Sequence, residues 1–376
     1  MTMLRSISLT CLVGYAACTR GGTAVYANDF EQAVGREWST DKTEETPKDS
    51  RRYLGGFTTD RVTLKLDKLP RHAFVRVSLS LYVIATWDGN AVLSDRGDRV
   101  GPDVWRMTLG EGAGERTLVD ATFSNFDFES RSVTRAATMQ SYPSVLRGES
   151  YPAKTGAAER DTLGFEWNFN DGSTHAVDAV YRMTFTVPHD SAELVLAFQG
   201  AEGLRPAEDE CWGLDDVKVE ALAAGEAKPP AADEMRRLWE AVGGHDIVAE
   251  ADAYWRMVAG GDETVRFLRT RVKPAGVDRR EFRRLVRQLD ADDFAGRERA
   301  TEALRALGPP AEDLLRDAVA HAASAESKVR LETALKGLAK TPPNDPEARR
   351  HAIAMKLLRT IGTVEARAAV KALSGN

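Results

Sequence analysis

The spacing of apolar residues changes near residue 220, and that change restricts the chain to an all-β part followed by an all-α part. From Val25 to about Val219 the period is two: Val75, Val77, Leu79, Leu81 and Val83 alternate with Arg76, Ser78, Ser80 and Tyr82. A strand with one face on a core and one on solvent reads this way. The same alternation recurs in Trp105, Met107 and Leu109, in Tyr181, Met183, Phe185 and Val187, and in Leu194, Leu196 and Phe198. Turn clusters such as Asp88-Gly89-Asn90, Gly110-Glu111-Gly112 and Asn170-Asp171-Gly172 separate the runs, which predicts an antiparallel β-sandwich over 23–220. Beyond Ala221–Ala232, a linker rich in Ala, Gly and Pro, the period becomes 3.6. Phe282, Leu285, Val286 and Leu289 stand at helical spacing, and so do Val265, Leu268 and Val272, so 233–376 is expected to be helical. Asp262, Asp278 and Asp293 stand where N-caps belong, and Gly308 and Gly362 where helices end.

At 376 residues the chain exceeds what one core ordinarily serves, so two domains are expected. Before Pro229 acidic residues outnumber basic ones by nine, and after it basic outnumber acidic by three. Such a balance offers no footprint for a phosphate backbone, so a nucleic-acid partner is not expected. Residues 1–22 read as an export signal: Arg5 supplies a charge, and Ser6 to Cys18 form an apolar run too short to span a membrane. The chain is therefore expected in a secreted, periplasmic or surface location. Tyr15-Ala16-Ala17-Cys18 also approximates a bacterial lipoprotein site, which leaves lipid anchoring at Cys18 as an alternative. With the signal removed only Cys211 remains of three cysteines, so packing must supply the stability.

The helical part repeats itself loosely. Aligning Gly308 with Gly362 sets Ala300 on Ala354, Leu304 on Leu358 and Leu307 on Ile361. Over Phe294–Ala320, with a basic residue and alanine early in the first helix and Gly308-Pro309-Pro310 at the turn, the unit resembles a HEAT-type repeat. That resemblance implies stacked helix pairs and a protein partner held through them. A plain helical bundle is the alternative.

Asn28-Asp29-Phe30-Glu31 opens the β region and Leu214-Asp215-Asp216-Val217 lies in its closing stretch. This pairing of ends resembles jelly-roll sandwiches of the MAM, laminin-G-like and galactose-binding-like kind, without the MAM cysteines. The resemblance implies that the first and last strands lie side by side. It also implies a structural calcium where they meet, held by Asp29, Glu31, Asp215 and Asp216, because calcium needs carboxylates converging from separate segments. Solvated strand ends are the alternative for these four acids.

Trp87 and Trp167, each followed by turn residues able to hydrogen-bond hydroxyls, are the aromatic candidates for stacking on a sugar ring, with Asp88, Asn90 and Asn170 as polar partners. Core packing is the competing explanation for both rings. No Glu-x-Asp-x-x-Glu pattern, His-x-x-x-His pair, Gly-x-Ser-x-Gly elbow or phosphate-cradling loop is present, and no catalytic residue is assigned. Cys211, set among acids, is a poor nucleophile, and Glu208-Asp209-Glu210 reads as a solvated loop. The expectation is a non-catalytic binding protein for a glycan or a protein. A glycoside hydrolase-like enzyme, its acids drawn from different strands, is the alternative.

Overall fold

The computed structural model describes residues 22–91, 101–128, 138–146, 148–169, 171–201, 204, 207–273, 277–308, 311–338 and 346–374. The signal-like run with Cys18, and Asn170, lie outside the described residues. The strands are β1 (Thr23–Asn28), β2 (Thr43–Glu45), β3 (Arg52–Phe57), β4 (Arg61–Leu66), β5 (Phe74–Ala85), β6 (Val104–Leu109), β7 (Arg116–Thr122), β8 (Glu159–Arg160), β9 (Glu166–Asn168), β10 (Thr174–Ala176), β11 (Asp178–Pro188), β12 (Leu194–Gly200) and β13 (Glu210–Leu222). They form a jelly-roll sandwich. One sheet has the order β2-β3-β13-β5-β11-β8 with β1 also on β13, the other β4-β12-β6-β7, and β9–β10 is a separate hairpin.

The alternation seen in the sequence is what buries one face. On β5, Val75, Val77, Leu79, Leu81 and Val83 point into the sandwich, while β11 and β13 pair along the strand from Phe74 to Ile84 or Ala85 on its two sides. Between the sheets, Trp105 lies against Phe198 (ring centroids 6.2 Å), Trp212 (6.1 Å) and Phe123 (6.4 Å). Removing a ring of that size from such a core costs about 3–5 kcal/mol. β1 runs antiparallel to β13, from Thr23 opposite Ala221 to Asn28 opposite Val217, so the two ends do lie side by side. Within β13 the pairing with β5 slips between Asp215 and Lys218, and Asp216 takes φ 51°. The Leu-Asp-Asp-Val stretch is therefore a β-bulge, one extra residue looped out of the ladder.

The helices are α1 (Ala232–Ala241), α2 (Ile247–Ala259), α3 (Asp262–Arg271), α4 (Arg279–Gln288), α5 (Phe294–Ala306), α6 (Glu312–Ala320), α7 (Ala325–Leu338), α8 (Pro346–Ile361) and α9 (Val364–Leu373). Among the described residues no helix is long and apolar enough to cross a membrane. Asp278 caps α4 through the N–H groups of Arg280 and Glu281, and Asp293 caps α5 through Gly296. Asp262 does not cap α3: Gly261 holds that position, and Asp262 Oδ1 instead accepts from Thr363 Oγ at 2.6 Å.

The helices divide between two cores in an order that the repeat alignment did not anticipate. Met257, Val258, Leu268, Leu358 and Ile361, from α2, α3 and α8, belong to the same buried cluster as the sandwich interior. α2 packs on β11, and α8 on β7 and β11, with Trp255 edge-on to Phe185 at 4.6 Å. α4–α7 bury a separate cluster around Leu285, Leu304, Leu315 and Leu331. Helices α8 and α9, flanking Gly362, pack on one another, whereas α5 packs on α4 and α7, and α6 on α7.

Arg349 of α8 fastens this arrangement. Its guanidinium meets Glu149 of the sandwich (Nε–Oε1 2.5 Å, Nη2–Oε2 3.0 Å) and Glu250 of α2 (Nη1–Oε2 2.6 Å, Nη2–Oε1 2.8 Å). Burial alone would raise the Glu149 carboxyl, but Arg349, Ser144 and Tyr151 outweigh it and hold the group below its ordinary value.

Candidate functional site

At the end of the sandwich where β5 stops and β11 starts, the β9–β10 hairpin and the segment 123–128 bring three partly exposed rings together, Phe128, Phe169 and His175, with Trp167 paired to His175 on the hairpin. Phe169, two residues on from Trp167, shares their face because strand side chains alternate. His175 stacks on Phe128 with centroids 3.8 Å apart and planes 2° from parallel, and Phe169 meets Phe128 edge-on at 5.4 Å. Phe126 closes the cluster beneath, 5.6 Å from Phe128 and 6.0 Å from Phe169. All of these but Phe126 keep part of their surface in solvent.

Buried polar groups fix both supports. Asp178, fully buried at the head of β11, accepts the successive N–H groups of Thr162, Leu163, Gly164 and Phe165 at 2.9–3.2 Å. Four donors converging on one carboxylate pin the run that leads into β9. Across the hairpin, Thr174 Oγ donates to Asn168 Oδ1 at 2.6 Å. Under the other support, Asn125 Nδ2 lies within hydrogen-bond reach of the carbonyls of Val83, Ala85 and Val177. Lys154, fully buried, pairs with Asp127 (3.1 Å) and Asp161 (2.5 Å). A fully buried lysine is tolerable only with such partners. The result is an aromatic surface with hydroxyl, amide and carboxylate groups around it.

The sequence candidates fare unequally. Trp167 stands across the hairpin from His175 with its ring partly exposed. Trp87 is fully buried, its indole N–H donating to the Cys211 carbonyl at 3.0 Å, so neither ring face is open to a sugar. Asn90 is occupied as well: its Oδ1 accepts from Thr122, and its Nδ2 donates to the Glu149 carbonyl (2.9 Å) and to Ser150 (3.0 Å). Asp88, half-buried, faces inward toward Asp103 and Glu210. Phe128, Phe169 and His175 escaped the sequence reading. The Phe126-x-Phe128 spacing and the alternate Trp167-x-Phe169 ahead of a turn are the signals that mark them.

The four acids expected to hold calcium do not converge. Asp29 and Glu31 are exposed, and each turns to a nearby backbone N–H: Asp29 Oδ1 accepts from Glu31 N (3.2 Å), Glu31 Oε1 from Arg52 N (3.2 Å). The bulge turns Asp215 back on the sheet, where its Oδ2 accepts from the Tyr82 hydroxyl (2.6 Å) and its Oδ1 from the Asp216 N–H (2.7 Å). Asp216 Oδ2 accepts from Ser80 at 3.3 Å. Burial, with the charges of Asp216 and Glu31 adding to it, pushes the Asp215 carboxyl up to about 6. Among the described residues, one group of three or more possible metal ligands comes together, and it is Asp88, Asp103 and Glu210. Glu210 is thus not on a solvated loop: it begins β13 and is fully buried. Burial pushes the Cys211 thiol up to about 12, leaving it protonated and unreactive at neutral pH.

No family model and no curated protein matches the chain. Among solved structures it is similar, at 13% identity and TM-score 0.24 over 53% of its length, to 97% of a carbohydrate-binding module of family CBM27 that recognises mannan. A second, a CBM28 module specific for non-crystalline cellulose, is matched over 54% of this chain and 96% of its own at 12% identity and TM-score 0.24. The third is a family GH115 4-O-methyl-alpha-glucuronidase specific for decorated arabinogalactans, matched at 12% identity and TM-score 0.24 over 53% of this chain and only 18% of its own.

Proposed function

We propose that the chain is an exported glycan-binding protein whose ligand stacks on the aromatic surface of the β9–β10 hairpin, with the helical part holding a protein partner. The observation that carries this reading is the set of partly exposed rings Phe128, Trp167, Phe169 and His175 on supports locked by Asp178, Asn125 and Lys154. A sugar ring presents weakly apolar C–H faces, and a preorganised aromatic surface binds them without having to order itself first. Asn168 and Thr174 on the hairpin supply hydroxyl and amide groups for orientation. On the helical side, Phe294 and Val329 remain 64% and 60% exposed on α5 and α7, and Arg297 and Arg330 stand over the Phe294 ring, a mixed aromatic and cationic face that a protein partner would meet.

The full chain, tested against soluble polysaccharides by affinity electrophoresis and then by calorimetry, is expected to bind at least one of them. Trp167→Ala should weaken that binding about tenfold, roughly 1.4 kcal/mol, with the melting temperature unchanged. Equal affinity of Trp167→Ala and the parent would remove the hairpin from consideration. Export is tested by sequencing the N-terminus of protein recovered from the producing cell, where a start beyond the first 17 residues is expected.

A further inference from the structure

We propose that Asp88, Asp103 and Glu210 form a calcium site at the same end of the sandwich as the aromatic surface. The three come from separate segments: Asp88 follows β5, Asp103 immediately precedes β6, and Glu210 is the first residue of β13. The fold itself drives them together. Glu210 pairs with Ala85 across the β13–β5 ladder, Asp88 bridges to Ser124, and the Asp103 N–H donates to the Gly89 carbonyl at 2.9 Å. One carboxylate oxygen of each lies within 4.8 Å of the other two.

Asp103 is the observation that points to a ligand. It is fully buried; its Oδ2 accepts the Asp88 N–H, and its Oδ1 is buried with no hydrogen-bond partner. A buried carboxylate oxygen left without a donor is costly, and like charges this close in a poorly polarisable interior repel strongly. Burial, with the charges of Glu210 and Asp88 adding to it, drives the Asp103 carboxyl well above its ordinary value. A divalent cation relieves both penalties. Carboxylates alone, without imidazole or thiolate, suit a hard cation rather than zinc. Calcium accepts six to eight oxygens in variable geometry, whereas magnesium demands a near-ideal octahedron that three ligands fixed by sheet register are ill placed to supply. This site does not depend on the glycan reading, because cation binding is measured with no glycan present.

The test uses chelator-stripped full-length protein titrated with calcium and with magnesium by calorimetry, and with terbium by luminescence excited through tryptophan. Trp87 is adjacent to Asp88, and Trp105 is two residues from Asp103, so terbium held there is sensitised. One calcium per chain, a higher melting temperature with calcium, and magnesium at least tenfold weaker are expected. Asp103→Asn and Glu210→Gln should each weaken calcium tenfold or more and quench the terbium signal, while Asp216→Asn retains both. The site is overturned if the parent protein binds no calcium, if both variants bind like the parent, or if Asp216→Asn alone abolishes binding. It is equally overturned if Asp103→Asn melts higher than a parent indifferent to calcium, which would make the cluster a proton-sharing pair. Should both variants fail to fold, calcium stoichiometry and sensitised terbium emission of the parent decide.

Discussion

His72 and His189 stack ring on ring with centroids 5.0 Å apart, and His72 Nε2 lies 2.7 Å from His189 Nδ1. Burial, reinforced by the neighbouring charges of His72 and Arg116, pushes His189 down to about 4 from its ordinary 6.5. Its neutral form belongs to the fold, so it contributes stability above about pH 6.5 that is lost as pH falls toward 4. Asp215 acts the other way. Its folded value is raised from 3.8 to about 6, so its contribution is full below about pH 4 and is lost as pH rises through 6. The two oppose one another between pH 4 and 6. Asp215→Asn is therefore expected to steepen the loss of stability on acidification from pH 6 to 4, and His189→Asn to flatten it, as read by urea unfolding at each pH. A parallel pH profile for Asp215→Asn and the parent would show that Asp215 titrates normally. Little of this was legible in sequence. An Asp-Asp pair on a strand reads as a solvated end, and only the bulge at Asp216 turns Asp215 onto the Tyr82 hydroxyl.

At the scale of elements, one side chain ties the start of β7 to the end of α8. Arg116, the first residue of β7, donates to the Thr360 and Ile361 carbonyls at the C-terminal end of α8 (3.2 and 2.8 Å) and to the Pro188 carbonyl at the end of β11 (2.8 Å). Burial lowers it to about 10, so it remains charged at neutral pH, and a cation at a helix C-terminus also meets the negative end of the helix dipole. Arg116→Met strands three carbonyls and should cost about 2 kcal/mol or more in urea unfolding, while Arg116→Lys restores charge without the fork and should fall between. Gly362 makes this approach possible. Its φ is +65°, and an added Cβ would stand 2.4 Å from Arg116 Cδ, so Gly362→Ala should destabilise by more than the ~1 kcal/mol of the backbone effect alone. The helix end at Gly362 was readable from the sequence. Its docking against a strand some 250 residues away in the chain was not, since no local pattern encodes which side chain reaches it.

At the scale of the whole molecule, the helices after residue 231 are not a separate appendage. Arg349 joins Glu149 to Glu250 with little solvent access, and removing it leaves two buried carboxylates facing each other. Arg349→Met is expected to cost about 3–5 kcal/mol and to lower the melting temperature of sandwich and helices together. A shift confined to the helical signal would instead mean two independent units. A cleavage site inserted within 223–231 should likewise leave both pieces associated after cutting, because α2 and α8 bury their apolar faces on β7 and β11. Elution as two separate soluble fragments would restore the simpler two-domain picture.

Periodicity and turn residues located the major strands, the change to helix beyond a linker at Ala221–Ala232, the caps at Asp278 and Asp293, and the breaks at Gly308 and Gly362, because each is dictated by neighbours within a turn or a strand. The turn residues after Trp167 marked it as a candidate beside a loop; the structure puts it on β9 with its ring partly exposed. What required the tertiary structure is everything set by residues far apart in the chain. Trp87 and Trp167 look alike in sequence, yet one is buried against the start of β13 and a two-strand hairpin presents the other. The 54-residue repeat aligns α5 with α8, yet one helps build a core around Leu304 and the other closes the sandwich. Asp88, Asp103 and Glu210 are scattered over more than a hundred positions and meet only because β5, β6 and β13 end at the same edge. Local spacing determines which face of an element is apolar; which surface that face finds depends on strand order and helix packing, and these arise from contacts that no short window of sequence contains.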